Sequence, residues 1–530
     1  MLNLMPRVHH AMVAAPHYIA SAVGSAVLHD GGNAFDASVA VSAVLSVVSP
    51  HMTGLGGDAF FLAYDARSGA CVGYNGSGRS GMLASAERYL DAGLEKIPHR
   101  GVESAITVPG MVDAWWSVWT RYGRLPWERL IEPAVRYAVE GFPVSRNLRE
   151  WIAKDRDLIA ADPGLRKVYL PGGRLPREGE RLRHPELAAT LRAVMEGGRG
   201  AFYEGAIMNA VTSAIEADGG LLTPEDFRQH TGEWVKPIRV TYRGCDVCQM
   251  PPNSQGFSVL MMLNMLETLD LAAYGRLSAE YFHLMTEVVK QAFRERDAFL
   301  TDPDFRPIPI DRLLSKDYAA KLMGSIRIHP PQAGHFRSQP TGSDTAYAAV
   351  VDEEGNAVSF IQSLYFDFGS AWTAGETGII LQNRGSFFSL DERSPNRLEP
   401  RKRTFHTLMP GLVLRGGKPY LLAGAQGGEG QPQTTLAILT GVIDYGLTIQ
   451  EAICLPRWVY GRTWGEDSDA LKLESRCGVG IADTLRKWGH RVEMVGRYDG
   501  VVGTAQGIMI EDGVISGAAD PRGDGSVVGW

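Results

Sequence analysis

Cysteine is scarce, with five in 530 residues (Cys71, Cys245, Cys248, Cys454 and Cys477). So few, and an odd number, exclude the disulfide framework of a small secreted domain and fit a reducing compartment. Charge of one sign is lacking too. A formal net charge of −7 is small for this length and gives no electrostatic case for binding nucleic acid or an anionic membrane. Long apolar runs are missing. The longest, Ala37 to Val48, is interrupted by serines and is too short to span a bilayer. The opening MLNLMPRVHHAMV places Arg7, His9 and His10 where a secretory leader needs an apolar core. Repeats and low-complexity tracts are absent. The expectation is therefore a soluble cytoplasmic protein with neither nucleic acid nor membrane as a partner. Its composition, 45% hydrophobic and 21% charged, is that of an ordinary globular chain.

What is present is a mixture of helical and strand periodicities. Ala20 to His29 reads as a helix stopped by Gly31-Gly32, and Ala34 to Val48 as a buried helix. Asp58 to Asp65 and Ala70 to Tyr74 read as paired strands. Helical patterns follow at 112–122, 128–140, 185–196, 205–218, 254–269 and 279–301. After Tyr420 to Ala425, a strand, comes GAQGGEGQPQ and then a helix over 434–444; the last sixty residues read mostly as strands. Only 329–344 has linker-like composition, and an exposed linker is where chains are cut.

That linker runs into GSDTAYAAVVDEEGNAVSF (342–360), which reads as a hairpin: Ala346 to Val351 leads out, Glu353 to Asn356 turns, and Ala357 to Ile361 returns. Thr345 at its start is either a strand-forming threonine or the first residue of a second polypeptide. A threonine hydroxyl is a weak nucleophile and needs a base. Its own α-amine, with an ordinary pKa of about 7.7–8.0, serves if the Asp344–Thr345 bond is cut. The returning strand brings Gln362, Ser363 and Leu364 beside Thr345, within one residue of register. Ser363 then supports the hydroxyl or the amine. Gly427-Gly428 is either a simple turn or a pair of backbone N–H donors for an oxyanion.

Three other signals point elsewhere. GSGRSG (76–81), between a strand-like run and the helix-like Met82 to Tyr89, matches a dinucleotide-binding turn and suggests an NAD-type oxidoreductase. Cys245-x-x-Cys248 has no second ligand pair and reads as plain structure. His283 and Glu287, four apart on one helix face near Lys290 and Arg294, read as a polar network rather than a metal site. A non-catalytic scaffold is the remaining alternative, against which the Thr345, Gly427 and Gly428 set argues.

Many longer segments, in order, resemble one family. They include GGNAFDASVA (31–40), SPHMTGLGGDAFFLAYD (49–65), VPGMVDAW (108–115), YGRLPWERLIEPAVRYAVEGFPVS (122–145), HLMTEVVKQAFRERDAFLTDP (283–303), DTAYAAVVDEEGNAVS (344–359), GETGIILQN (375–383) and AGAQGGEGQPQ (423–433). By these the chain is identified as a member of the γ-glutamyltranspeptidase family of self-cleaving N-terminal-nucleophile hydrolases. The resemblance implies an α+β fold, a four-layer αββα sandwich. It implies cleavage between Asp344 and Thr345 into a large (1–344) and a small (345–530) subunit that share one domain, as a heterodimer or a dimer of heterodimers. It puts the nucleophile on Thr345, the supporting hydroxyl on Ser363 and the oxyanion donors on Gly427 and Gly428. It implies no metal and no cofactor.

The match departs from the transpeptidases at the specificity residues. The arginine that holds the substrate carboxylate there falls on Ser77, with Arg79 two residues on. The acid that holds the substrate ammonium is replaced at or near Phe387. A paired-serine motif becomes His406-Thr407, and an asparagine becomes Tyr365. Without an acid, a buried ammonium is disfavoured. The resemblance is therefore to an acylase-like branch, with Arg79, Tyr365, Arg384, His406 and Thr407 as the substrate-binding set. The implied reaction is hydrolysis of an amide of a small carboxylate-bearing molecule: γ-glutamyl or glutathione-like, oxamate-like, or glutaryl and cephalosporin-type.

Overall fold

A computed structural model describes residues 5–328, 332–334, 336, 344–461 and 468–530, with Asp344 described by its backbone only. Most of the linker-like stretch 329–343 thus lies outside the described residues.

Two antiparallel sheets form the centre, each with seven strands among the described residues. The first is ordered around the hairpin Asp344–Val351/Ala357–Tyr365, flanked by Met12–Ala15 on one side and Asp58–Asp65 on the other. The second contains Cys245–Gln249, Gly411–Arg415, Lys418–Ala425 and Ala505–Glu511 as neighbours. Strand side chains alternate between faces, and the burial follows that alternation. Phe60, Leu62, Tyr347, Ala349 and Ile361 of the first sheet meet Cys248, Leu412, Leu422 and Ile508 of the second in the inter-sheet layer. Ala59, Phe61, Ala346, Ala348 and Phe360 face the other way, against a helical layer that includes Ala34–Val48, Met111–Tyr122 and Trp127–Glu140. On the far side Val247, Val413, Leu421 and Ala505 pack on Phe257–Leu266, Ala279–Phe299 and Gly430–Ile443. The layers are helix, sheet, sheet, helix, as the resemblance implies.

Local chemistry explains the elements. The Ala34–Val48 helix is buried on every side, and its start is fixed by a reciprocal cap between Asn33 and Asp36. The hairpin turn is held by Asp352, whose Oδ1 accepts from the backbone N–H groups of Glu354 and Asn356 at 3.0 Å each. The helix expected over 82–89 begins only at Ala86, where Ser85 caps it. Three short helices between Arg146 and Tyr169 were not expected. Among the described residues no helix is long and apolar enough to cross a membrane.

Candidate active site

The hairpin ladder is regular from Val351↔Ala357 to Ala346↔Gln362, and then Asp344 pairs with Tyr365. The returning strand has one residue more than its partner there, so Thr345 lies at a bulge opposite Ser363 and Leu364. A bulge re-aims one side chain out of the regular alternation. Thr345 is buried, and its Oγ1 accepts from Gln431 Nε2 at 3.2 Å. Ser363 Oγ accepts from the Tyr365 N–H at 2.7 Å, which helps hold Tyr365 at a φ of +89°, a conformation costly for a bulky residue. The SPHMTGLGGD loop presses on the same strand from outside. Gly57 comes so close that a Cβ there would meet Ser363 O at 2.3 Å. That contact gives the paired glycines of the loop a packing reason.

Gly427 and Gly428 form the turn between the strand Lys418–Ala425 and the helix Gly430–Ile443. Their φ values, +128° and +51°, suit glycine. Gln431, which reaches Thr345, is in the first turn of that helix. The N-terminal end of a 14-residue helix favours negative charge, so the turn sits where a developing oxyanion would be stabilised. A buried network clamps it. Gln255 Nε2 donates to Gly428 O (3.0 Å) and Thr407 O (2.8 Å), while Gln255 Oε1 accepts from Arg296. Arg296 in turn pairs with Glu429 at 2.6 Å.

Arg384 follows Asn383, whose N–H bonds to Leu364 O and whose Oδ1 accepts from the Phe366 N–H. The guanidinium is therefore anchored beside the Ser363–Tyr365 segment. It lies 4.1 Å over the Tyr365 ring and donates through Nη1 to Thr407 Oγ1 at 3.0 Å. Its Nε and Nη2 are buried without a hydrogen-bond partner. Burial lowers its pKa to about 10, with Tyr365 and Asp58 opposing the shift. His406 Nε2–H donates to Asp58 Oδ2 at 3.0 Å, and its Nδ1 accepts from the Leu408 N–H at 3.3 Å. Both bonds are made by the neutral ring; a second proton would set Nδ1–H against an N–H. Burial, followed by the nearby Arg384 cation, lowers the His406 pKa to about 4. Asp58 Oδ1 also accepts from the N–H groups of Gly78 and Gly110 and from Gln382. The wall near Arg384 is aromatic: Phe387 meets Tyr365 and Phe405 edge-on, at 5.6 and 4.6 Å between ring centres.

Thr345, Ser363, Tyr365, Arg384, His406, Thr407 and the glycine turn are thus linked through shared neighbours. Arg79 is not part of this group. Its guanidinium is held by Asp302 at 2.8 Å and Asp304 at 2.6 Å, so its charge is already neutralised. The dinucleotide expectation for GSGRSG also fails. The segment pairs with other loops, at Arg79↔Arg403 and Ser80↔Thr107, and does not open a helix. A Cβ at Gly78 would meet Val108 O at 1.6 Å, so this glycine serves tight packing inside the protein and leaves no room for a pyrophosphate. Gln431, Gln255, Asp58 and the Arg296–Glu429 pair were missed; only Gln431, just past the glycine pair, carried a positional hint. A cavity of about 730 Å³ elsewhere, lined by Arg100, Lys167, His184 and Trp372 among others, includes none of these groups.

Comparison with known proteins shows the family. The family model described as gamma-glutamyltranspeptidase matches residues 20–530. The chain is 53% identical over 519 residues to the glutathione hydrolase-like YwrD proenzyme of Bacillus subtilis (strain 168), covering 98% of each. It is 37% identical over 528 residues to the oxamate amidohydrolase proenzyme of Klebsiella pneumoniae subsp. pneumoniae, again covering 98% of each. Among solved structures it is similar to a cephalosporin acylase from Bacillus halodurans. The TM-score there is 0.92 at 36% identity, over 100% of this chain and 97% of the other.

Proposed function

The chain belongs to the gamma-glutamyltranspeptidase family of hydrolases, and from that premise we propose a self-cleaving amidohydrolase with Thr345 as its nucleophile, acting on the monoamide of a small dicarboxylic acid that carries no α-ammonium. The observation that carries the reaction is the Thr345 hydroxyl, buried at a bulge beside Ser363 and bonded to the helix that starts at the Gly427-Gly428 turn. Maturation begins when Thr345 Oγ attacks the carbonyl carbon of Asp344. The C–N bond breaks as the ester forms, and the hydroxyl proton passes to the departing nitrogen, which becomes the α-amine of Thr345. Water then hydrolyses the ester, leaving fragments 1–344 and 345–530.

The α-amine freed on Thr345 titrates near working pH and acts as general base. In turnover it takes the hydroxyl proton as Oγ attacks the substrate amide. The Gly427 and Gly428 N–H groups and the helix end receive the oxyanion. The base returns its proton to the leaving amine, and water attacks the acyl-enzyme by the same route.

The substrate class is supported by Arg384. A buried guanidinium with two unpartnered donors on adjacent nitrogens suits a carboxylate fork. Thr407 and Tyr365 hold that group in place. The aromatic wall offers no carboxylate to an α-ammonium, so a γ-glutamyl amide is the poorer substrate. Oxamate, named for one relative, is itself the monoamide of a dicarboxylic acid. A cytoplasmic location belongs to the same reading, on the low cysteine content.

The test is the denatured intact mass of wild type and Thr345→Ala, followed by turnover of oxamate, a glutaryl amide and a γ-glutamyl anilide. Two fragments meeting at 344/345 in wild type and one uncut, inactive chain in the variant are expected. An active Thr345→Ala protein overturns the nucleophile; preference for the γ-glutamyl anilide overturns the substrate class.

A further inference from the structure

One buried polar cluster has no part in this chemistry. On the helix Ala279–Phe299, His283, Glu287 and Lys290 share a face and meet His490 from the C-terminal region. The ligand atoms of His283, Glu287 and His490 lie within 4.8 Å of one another, the spacing of a metal site. The cation facing Glu287 is, however, an ammonium: Lys290 Nζ is 2.7 Å from Glu287 Oε1. The remaining bonds of the cluster go to the chain that leads toward Thr345. His283 Nε2–H donates to Arg327 O at 2.8 Å. Glu287 Oε2 accepts from the Gly334 N–H at 3.0 Å, and Lys290 donates to Gly334 O at 2.8 Å. Both polar groups of one peptide residue are thus captured by a buried ion pair.

The C-terminal region holds the same segment from the other side. Trp488 O accepts from the Ala333 N–H at 2.8 Å, and Tyr460 donates its hydroxyl hydrogen to Phe336 O. Arg294 lies 5.4 Å over the Phe336 ring. A Cβ on Gly334 would come within 2.8 Å of Glu287 Oε2, so a side chain there displaces the carboxylate from its bond to the Gly334 N–H. The space beside it, about 490 Å³, is lined by Lys290, Gly334, Phe336, Tyr460, Asp469 and His490 among others.

We propose that this cradle is a docking site for the chain just upstream of the cleavage point, and that it positions the Asp344–Thr345 bond for attack. The inference rests on the self-cleavage reading above. Main-chain groups withdrawn from water seek partners; here Gly334 finds them in Glu287 and Lys290 of what becomes the large fragment, and Ala333 and Phe336 in Trp488 O and the Tyr460 hydroxyl of the small one. Among the described residues upstream of Asp344, Phe336 is the bonded position nearest Thr345 in sequence, and Arg327, held by His283, is roughly twice as far from it. The probability of presenting the bond falls as about the 3/2 power of loop length, so roughly threefold. Glu287 and Lys290 are positioning residues; they touch no reacting atom. After cleavage the same contacts hold the tail of the large fragment against Tyr460 and Trp488 of the small one.

The test uses full-length precursor, freshly synthesised in a cell-free system, with conversion to fragments followed by denaturing gel and intact mass. Gly334→Ala and Tyr460→Phe alter the cradle with little change to the core. Combined, they release both anchors and are expected to slow maturation about threefold, each alone by a smaller factor, while kcat and KM of the matured protein stay at wild-type values. Each variant is also made with Thr345→Ala, to show by its melting curve that the uncut chain is folded. Wild-type maturation rates in both folded variants overturn the cradle alone and leave the nucleophile standing. A wild type that never cleaves overturns both proposals.

Discussion

Replacing Arg384 with methionine separates the two roles a buried cation can have. The Arg384 guanidinium makes one hydrogen bond, to Thr407, and has two nitrogens without partners. Each unsatisfied donor of a buried group costs about 1–3 kcal/mol, and stacking on Tyr365 returns about 1–2 kcal/mol. Methionine keeps most of the stem volume and carries no charge. The Arg384→Met protein is therefore expected to be more stable than wild type by about 1–2 kcal/mol, a rise in Tm of roughly 1–2 °C for a fold this large. Its activity moves the other way. A bound carboxylate would complete two charge-assisted hydrogen bonds, together about 3–6 kcal/mol. Losing them lowers kcat/KM for oxamate or a glutaryl amide by about 10²–10⁴-fold. An amide of matched size without the carboxylate has nothing to lose and stays within about threefold. Scanning calorimetry and steady-state kinetics on both substrates check this. A variant that is less stable, or that loses both activities equally, refutes the reasoning, since the guanidinium would then be structural.

The remaining predictions are smaller. His406 is held neutral, with its pKa lowered to about 4 by burial and then by Arg384, against an ordinary value near 6.5. The unfolded chain therefore binds the extra proton first as pH falls. The stability tied to His406, about 3 kcal/mol, is complete above pH 6.5 and is lost progressively toward pH 4. Thermal melts over that window should show a shallower acid slope in His406→Gln than in wild type; an unchanged slope would place the acid lability in other groups. Gln431→Met removes the donor to Thr345 Oγ1 and one neutral hydrogen bond, about 1 kcal/mol. Both maturation and turnover should slow about fivefold. Loss of turnover with normal maturation would show that the bond matters only after cleavage.

How much of this was legible depended on sequence distance. The hairpin at 344–365 was readable because alternation and turn residues are local, and the long helices because an apolar stripe repeats along them. The short helices from Arg146 to Tyr169 were missed because each is too short for a stripe to repeat and buries few side chains: Leu148, Trp151 and Ile152 in the first, Ile159 in the second. The bulge at Thr345 was narrowed to one residue but not resolved, since an extra residue on one strand interrupts the alternation from which register is read. Asp58 to His406 spans 348 positions, and Gln431 to Thr345 spans 86. Periodicity says which face a residue occupies and not which residue it meets across two sheets. The same limit made Arg79 and Arg384 look equivalent. Only the fold puts Asp302 and Asp304 against the first.

Charge pairing gives the strongest argument for where a ligand sits. Other arginines buried as deeply as Arg384 are matched with acids. Arg296 has Asp297 and Glu429, Arg522 has Glu474 and Asp520, and Arg457 has Asp520. These pairs follow the rule that a buried charge brings its counter-charge. Arg384 forms no ion pair among the described residues, although Asp58 is close enough to influence its titration. Asp58 is already engaged with His406, Gln382 and two backbone N–H groups. A folded protein tolerates such an imbalance where function requires it, at a cost in stability that a partner from outside removes. That partner must be an anion, flat enough to meet two adjacent N–H donors and small enough to lie over Tyr365 beside Ser363 and Thr345. A carboxylate on the acyl side of an amide meets each condition, and it would bring the amide carbonyl toward Thr345, the proposed nucleophile.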